Sequence, residues 1–264
     1  MRFEARSVRR INIPRDKCVV LERARLRGEN YSGRDLLWFA SVGSRLEGCR
    51  FDKVSIESAS FGSGRETSEY IECTFDGARL DMAAGGNARF IRCSFRDVLI
   101  RDWFCFAVEL VDCIFSGQMH KCVFNGTVPK NRRSFLGRER NEFHGNDFSA
   151  LDMVDVAFRT GIDLARQRLP SGLSYLYLPD AAEVVEQTRA AVIGWKNPEL
   201  RRSALVIVNG LLKTVREGQR QLFLRMDDYL GFSSLPREAV EKVFALLRGE
   251  FGEPVQTRYY PQLK

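Results

Sequence analysis

CTFDGARLDM (residues 73–82), ARFIRCSFRD (88–97) and NDFSALDMVDVAFRT (146–160) share one pattern. A large apolar residue recurs at every fifth position, and a small one stands two places before it. Phe51, Ile56 and Phe61 keep one frame. Tyr70, Phe75, Leu80, Phe90, Phe95, Ile100, Leu110 and Phe115 keep the next, followed after a one-residue slip by Met119 and Phe124, and then by Phe143, Phe148, Met153 and Phe158. The small slot holds Cys49, Val54, Cys73, Ala78, Ala88, Cys93, Val98, Val108, Cys113 and Cys122, among others. A period of five matches neither a helix nor a flat strand, so it reads as an internal repeat. A twenty-residue step is superimposed on it: Cys73, Cys93 and Cys113 align, as do Phe75, Phe95 and Phe115. Four fives per turn would stack equivalent residues about 4.8 Å apart, the spacing of hydrogen-bonded strands. The large and small residues would fill the interior, and the other three of each five would face solvent.

These blocks resemble the pentapeptide-repeat family, whose motif is small–polar–Leu/Phe–polar–polar. The resemblance covers roughly residues 21–164 and implies a β-solenoid, a right-handed quadrilateral β-helix of pentapeptide repeats, here followed by a small C-terminal α-helical region. Gly85 and Cys105 occupy large-residue slots and Ser41 breaks the early frame. Those turns are expected to bulge or to pack less well.

At 264 residues the chain has ample length for a buried core. No apolar run approaches the eighteen or so residues that span a bilayer. No secretory leader is read at the N-terminus, so cytoplasmic residence without membrane attachment is expected. The net charge is +7, with 33 Arg against 8 Lys, and residues 1–169 carry +5 of it. That balance permits acidic partners without establishing them. Five of the seven cysteines fall in the small inward slot, where a thiol packs as a small hydrophobe rather than reacting. There is no paired C-x-x-C spacing, so no metal site is expected. Nucleotide-binding, zincin and nucleophile-elbow motifs are missing, and His120 and His144 follow inward residues, which turns them to solvent. No catalytic residue, cofactor or enzymatic activity is expected.

The segments divide as 1–20, an N-terminal cap made basic by Arg2, Arg6, Arg9, Arg10 and Arg15; 21–168, the solenoid; 179–250, the helical region; and 251–264, a polar tail. Two insertions interrupt the repeat. The first is SGRETSE (63–69). The second, near 127–141, reads as a basic loop containing the candidate partner-binding residues Lys130, Arg132, Arg133, Phe135, Arg138 and Arg140. Loops on a rigid scaffold are where binding residues concentrate. Three readings stay open for this one: a solvated excursion, a protein-docking loop, or a grip on nucleic acid through charge and stacking. Replacing the four arginines together by Ala is expected to leave the fold intact.

Beyond Pro179 the period becomes helical. Asp180 and Glu183 form a capping-box pattern, and Val184, Thr188, Ala191, Val192 and Trp195 share a face of the helix that follows. Asn197–Pro198 opens a second helix, QRQLFLRMDDYLGF reads as a third and LPREAVEKVFALLRG as a fourth. Such a bundle would close the open end of the coil, form a homodimer or fold by itself. The expected function is a macromolecular scaffold or adaptor presenting a flat face and the basic loop to a protein partner. The family resemblance adds a second expectation, binding of DNA gyrase or another topoisomerase by imitating duplex DNA, against which the positive solenoid counts. Direct nucleic-acid binding through the loop and cap is the third.

Overall fold

The structure, a computed structural model, describes residues 14–231 and 234–249. Cap residues Arg2, Arg6, Arg9 and Arg10 and the tail 251–264 lie outside the described residues. The chain forms a β-solenoid of about five turns with parallel sheets, followed by a few helices. Pairing is already in register at Cys18–Glu22, whose Leu21 lies opposite Ser41. Farther along, Leu46, Tyr70, Phe90, Leu110 and Phe143 are successive partners.

The five-residue period has a local cause. Two places after many of the inward large residues the backbone takes a positive φ and turns. Lys53, Glu72, Arg92, Asp97 and Asp112 do so at φ of 51–55°, and Gly48 and Gly77 fill the same slot. A non-glycine residue there costs roughly 1–2 kcal/mol. Regular stacking on both sides holds the conformation in place.

The interior follows the same count. Tyr31, Phe51, Phe75, Phe95, Phe115 and Phe148 form a column of near-parallel rings with neighbouring centroids 4.6–4.9 Å apart. That is the offset-stacked spacing aromatic rings prefer. Beside it run Cys49, Cys73, Cys93 and Cys113, all buried and all free. The Sγ of Cys73, Cys93 and Cys113 donate to the carbonyls of Leu46, Tyr70 and Phe90 at 3.3–3.6 Å. Burial raises the Cys93 and Cys105 thiols well above the usual range and pushes Cys122 up to about 12. Cys73 moves the other way, because the Cys93 S–H stabilises its thiolate.

Of the turns expected to bulge, those at Ser41 and Cys105 are well packed, whereas around Gly85 the strand pairing lapses between Met82 and Ala88. At Ser41 and Cys105 the large and small slots exchange contents. Phe39, two places before Ser41, is fully buried with its ring 5.2 Å from Phe61 and 5.5 Å from Phe51. Trp103, two places before Cys105, is buried against Phe90 and Phe124, each 5.8 Å away. The buried Ser41 Oγ donates to Ser68 Oγ at 2.8 Å. Close packing constrains the volume of a layer more tightly than the slot that supplies it.

Five helices are described: α1 (Lys130–Leu136), α2 (Ala181–Ile193), α3 (Pro198–Arg216), α4 (Met226–Leu230) and α5 (Arg237–Leu247). None of them is long and apolar enough to cross a membrane. Asn197 caps α3, its side chain accepting from the Glu199 and Leu200 N–H groups. Asp180 stands at the N-cap of α2 without a side-chain hydrogen bond, so the capping box does not form. The buried face of α2 is Ala181, Val185, Thr188 and Val192. It is therefore rotated from the expected one and shares only Thr188 and Val192 with it.

The expected third helix forms only in its second half, and its first half is a strand. Leu222–Arg225 pairs antiparallel with Tyr175–Leu178, a segment the sequence shows only as a linker, and α4 adds five residues. Period-two alternation explains the choice. Phe223 faces the solenoid core and stacks on Tyr175 at 5.1 Å, while Leu222 and Leu224 enter the core of α2, α3 and α5. The ribbon thus joins two cores, which a helix with one apolar face would not. Two glutamines seal the last solenoid edge. Gln219 accepts from the Gly161 and Ile162 N–H groups and donates to the Ile162 carbonyl, and Gln221 accepts from the Leu164 N–H. The C-terminal region therefore closes the end of the coil, one of the three roles open to it.

Candidate docking site

Register shows where the insertions leave the solenoid. The step between paired residues is 20 from Ala40 to Ser60 and 24 from Leu46 to Tyr70. It is 19 from Cys105 to Phe124 and 33 from Leu110 to Phe143. Both insertions therefore leave at the same corner, separated by the intervening turns. The second is not the open loop expected from its sequence. It contains α1, entered after Pro129 and ended by Gly137 at φ 65°.

Contacts bring α1 back over earlier turns. Arg132 Nη1 donates to Asn87 Oδ1 at 3.2 Å, and Asn87 Nδ2 donates to the Gly64 carbonyl of the first insertion at 2.6 Å. The Arg65 guanidinium lies 5.9 Å from the Phe135 ring, within cation–π range. Insertion one, the turn at Gly86–Asn87 and α1 thus form one ridge.

The six candidate residues play different parts in it. Arg138 is half-buried: Nη1 lies 3.2 Å from Glu109 and Nη2 donates to the Ala107 carbonyl at 3.0 Å. Burial lowers its guanidinium below the usual range, with Glu109 opposing. Glu109 is only 6% exposed and has Arg89 at 3.8 Å as a second cation. Arg133 donates to the Val128 carbonyl at 3.0 Å and pairs with Glu139 at 3.1 Å. Those two arginines hold the insertion in place. Of the four arginines expected to be dispensable for folding, Arg138 stands apart, because replacing it would take from a buried acid its nearest cation. Arg138→Met is expected to lower stability by about 1.5–3 kcal/mol. Lys130→Met should stay within about 0.5 kcal/mol. Urea unfolding of both variants checks the contrast, and equal midpoints would refute this division of roles.

Lys130, Arg132 and Arg140 differ. Lys130 and Arg132 remain accessible, and Arg140 donates to the Gly161 carbonyl at 2.6 Å. Among the described residues no carboxylate pairs with any of these three, nor with Arg65 or Arg159. The adjoining ladder is neutralised by contrast, with Arg27 on Glu47 and Arg45 on both Glu47 and Glu69.

Beside the ridge lies a strip that charge alone does not reveal. Val20, Ala40 and Ser60 are successive partners in one outward slot; Phe104, Val123 and Ala157 continue it. The next outward slot holds Val42, Gly62, Gly86, Phe106 and Asn125. Between Glu22 and Arg159 neither slot contains a charged residue. A Cβ at Gly62 would stand 2.2 Å from the Asn87 carbonyl oxygen, and one at Gly86 2.4 Å from that of Gly62. Gly62 and Gly86 are thus packed against neighbouring backbone; Ala40, Ser60, Gly62 and Asn125 are buried, and the exposed apolar surface lies at Val20 and Trp38 toward one end and at Ala84, Phe104 and Phe106 toward the other. Trp38, Phe104, Phe106 and Phe135 keep 40–47% of their surface exposed around the strip. Near Ala157 and Arg159 the strip meets α3 in a groove of about 450 Å³, with Val206, Gly210 and Thr214 in its wall.

Arg65, Phe104 and Phe106 are not among the residues singled out from sequence. Phe104 and Phe106 flank Cys105 in outward slots, so the five-residue frame carried the signal that they face solvent. His144 lies 2.9 Å from Glu142 on the surface. No group of three or more His, Cys, Asp or Glu is arranged to hold a metal among the described residues. No family model matches the chain, and no curated protein matches it.

Proposed function

We propose that this protein is a non-enzymatic scaffold or adaptor of the pentapeptide-repeat type, a four-sided right-handed β-helix working in the cytoplasm, which binds a protein partner on the uncharged strip and its basic ridge. The observation that carries the reading is the strip itself. Val20, Trp38, Ala84, Phe104 and Phe106 are exposed along an uncharged run of the solenoid wall, while the neighbouring ladder is laced with Arg–Glu pairs. An exposed apolar patch of this extent on a soluble fold marks an interaction surface. Seven free thiols suit a reducing compartment.

A DNA-mimicking role toward gyrase has less support. Acids on the solenoid are interleaved with arginines, as at Glu72–Arg92, Asp76–Arg96 and Asp81–Arg101, and form no continuous negative flank. The test is affinity capture from the native host, comparing the wild-type chain with Phe104→Glu/Phe106→Glu. The expected result is a protein retained by the first and lost by the second, with circular dichroism unchanged. A captured set identical for both would remove the strip from consideration.

A further inference from the structure

Resting on the docking role proposed above, we infer that the strip receives an amphipathic α-helix whose one flank is acidic, supplied by the partner protein. Three observations lead to that occupant. The first is shape. The run of seven layers from Val20 to Ala157, six paired strands and the 83–87 segment between Ser60 and Phe104, is roughly 29 Å long at about 4.8 Å per layer, and a helix of about 20 residues has that length. No bulky side chain stands on the floor at Ala40, Ser60, Gly62 or Gly86, and Phe104 and Phe106 are exposed at one end. The spacing of helix-in-groove recognition, apolar side chains three and four apart, suits such a floor.

The second is charge. Arg65, Lys130, Arg132, Arg140 and Arg159 line the ridge side and the far end without a carboxylate partner among the described residues. Carboxylates along one flank of the helix would answer them, and that complementarity would set its orientation. The third is the end of the track. The groove against α3 accepts a terminal apolar side chain between Ala157 and Val206.

Other occupants fit worse. A second copy would bring one basic ridge toward another with no acid on the strip to meet it. Of the end segments of this chain, 1–13 is net basic and 250–264 balances two Glu against one Arg and one Lys, so neither supplies an acidic flank. A nucleic-acid strand carries charge along its whole track and needs cations beneath it. Here the floor is uncharged and the cations stand to one side.

The experiment uses the full-length chain and two synthetic 20-residue helices, identical on the apolar face, with either Glu or Lys along one flank; a 20-nucleotide single strand is the third probe. Fluorescence anisotropy is read at about 50 and 200 mM salt. The Glu helix is expected to bind about tenfold more tightly than the Lys helix, and less tightly at the higher salt. Phe104→Glu/Phe106→Glu should abolish binding, and Lys130→Glu/Arg132→Glu should reverse the preference between the helices. Phe104, Phe106 and Lys130 are exposed and Arg132 is partly so, giving up one hydrogen bond to Asn87, so circular dichroism should match the wild type.

Equal binding of the two helices overturns the inference, as does stronger binding of the oligonucleotide. So does a dissociation constant for the Glu helix weaker than about 1 mM. If the capture experiment still yields a partner lost in the Phe104/Phe106 variant, the docking role stands and only the helical occupant falls.

Discussion

Phe95→Ala is expected to remove about 3–5 kcal/mol of stability, the range for truncating a buried aromatic. Phe95 is fully buried at the centre of the ring column. Its centroid lies 4.6 Å from Phe75, 4.7 Å from Phe115 and 5.6 Å from Phe90, with Trp103 tilted at 6.4 Å. Alanine would leave a cavity that neighbours cannot fill, because each is held by its own partner one strand away. In a solenoid, stability is close to a sum of nearest-neighbour interfaces. The loss therefore also weakens the coupling between the turns on either side. Urea unfolding followed by far-ultraviolet circular dichroism should show an earlier midpoint and a broader or split transition. Phe95→Leu keeps most of the volume and should cost no more than about 1.5 kcal/mol. A loss below 1 kcal/mol for the alanine variant would mean that the column is not the main support of the solenoid.

Gly85→Leu separates the motif from the structure. The five-residue frame places a large apolar residue at 85, so the motif alone makes leucine a repair. The structure makes it a disruption. A Cβ at position 85 would stand 1.7 Å from the Phe104 carbonyl oxygen and 2.6 Å from its carbon. Those are backbone atoms of a strand paired with Val123–Phe124, so nothing nearby can yield cheaply. The space a leucine would have filled is served by Phe61 and Trp103, both packed on Phe90. Overpacking against fixed backbone should cost at least about 3 kcal/mol. Gly85→Ala, which adds only the offending carbon, should already lower the thermal midpoint. An unchanged or raised midpoint in either variant would show that the chain at Phe104 moves aside more easily than its pairing suggests.

Position 85 also shows how far the motif reaches. It identifies which positions point inward, and Ser41, Gly85 and Cys105 are inward as the frame requires. It does not say how the interior volume is shared, since Phe39 and Trp103 compensate from slots usually given to small residues. That sharing depends on side chains twenty or more residues away.

The C-terminal region divides in a similar way. Asn197–Pro198 and the apolar stripe of α5 are local signals, and both helices form where they indicate. QRQLFLRMDDYLGF reads as a helix because its apolar spacing allows one. Its first half becomes a strand because Tyr175–Leu178 offers an antiparallel edge and two cores need the residues on either side of it.

At the ridge, composition marked Lys130, Arg132, Arg133, Phe135, Arg138 and Arg140 as one basic group. Contacts divide that group, since Glu109 neutralises Arg138 and Glu139 neutralises Arg133 while Lys130 remains open to solvent. Arg65 joins it from 65 residues before Lys130.

From its order of residues alone, this protein determines a chain that turns every five residues and buries the same two of each five. Turn backbone angles and the alternation of apolar side chains act over neighbouring residues only, so they can be read along the chain. Where the two insertions meet, which arginines keep a free charge, and which strand edge receives residues 222–225 were decided by the tertiary structure, because each depends on groups brought together only when the turns stack.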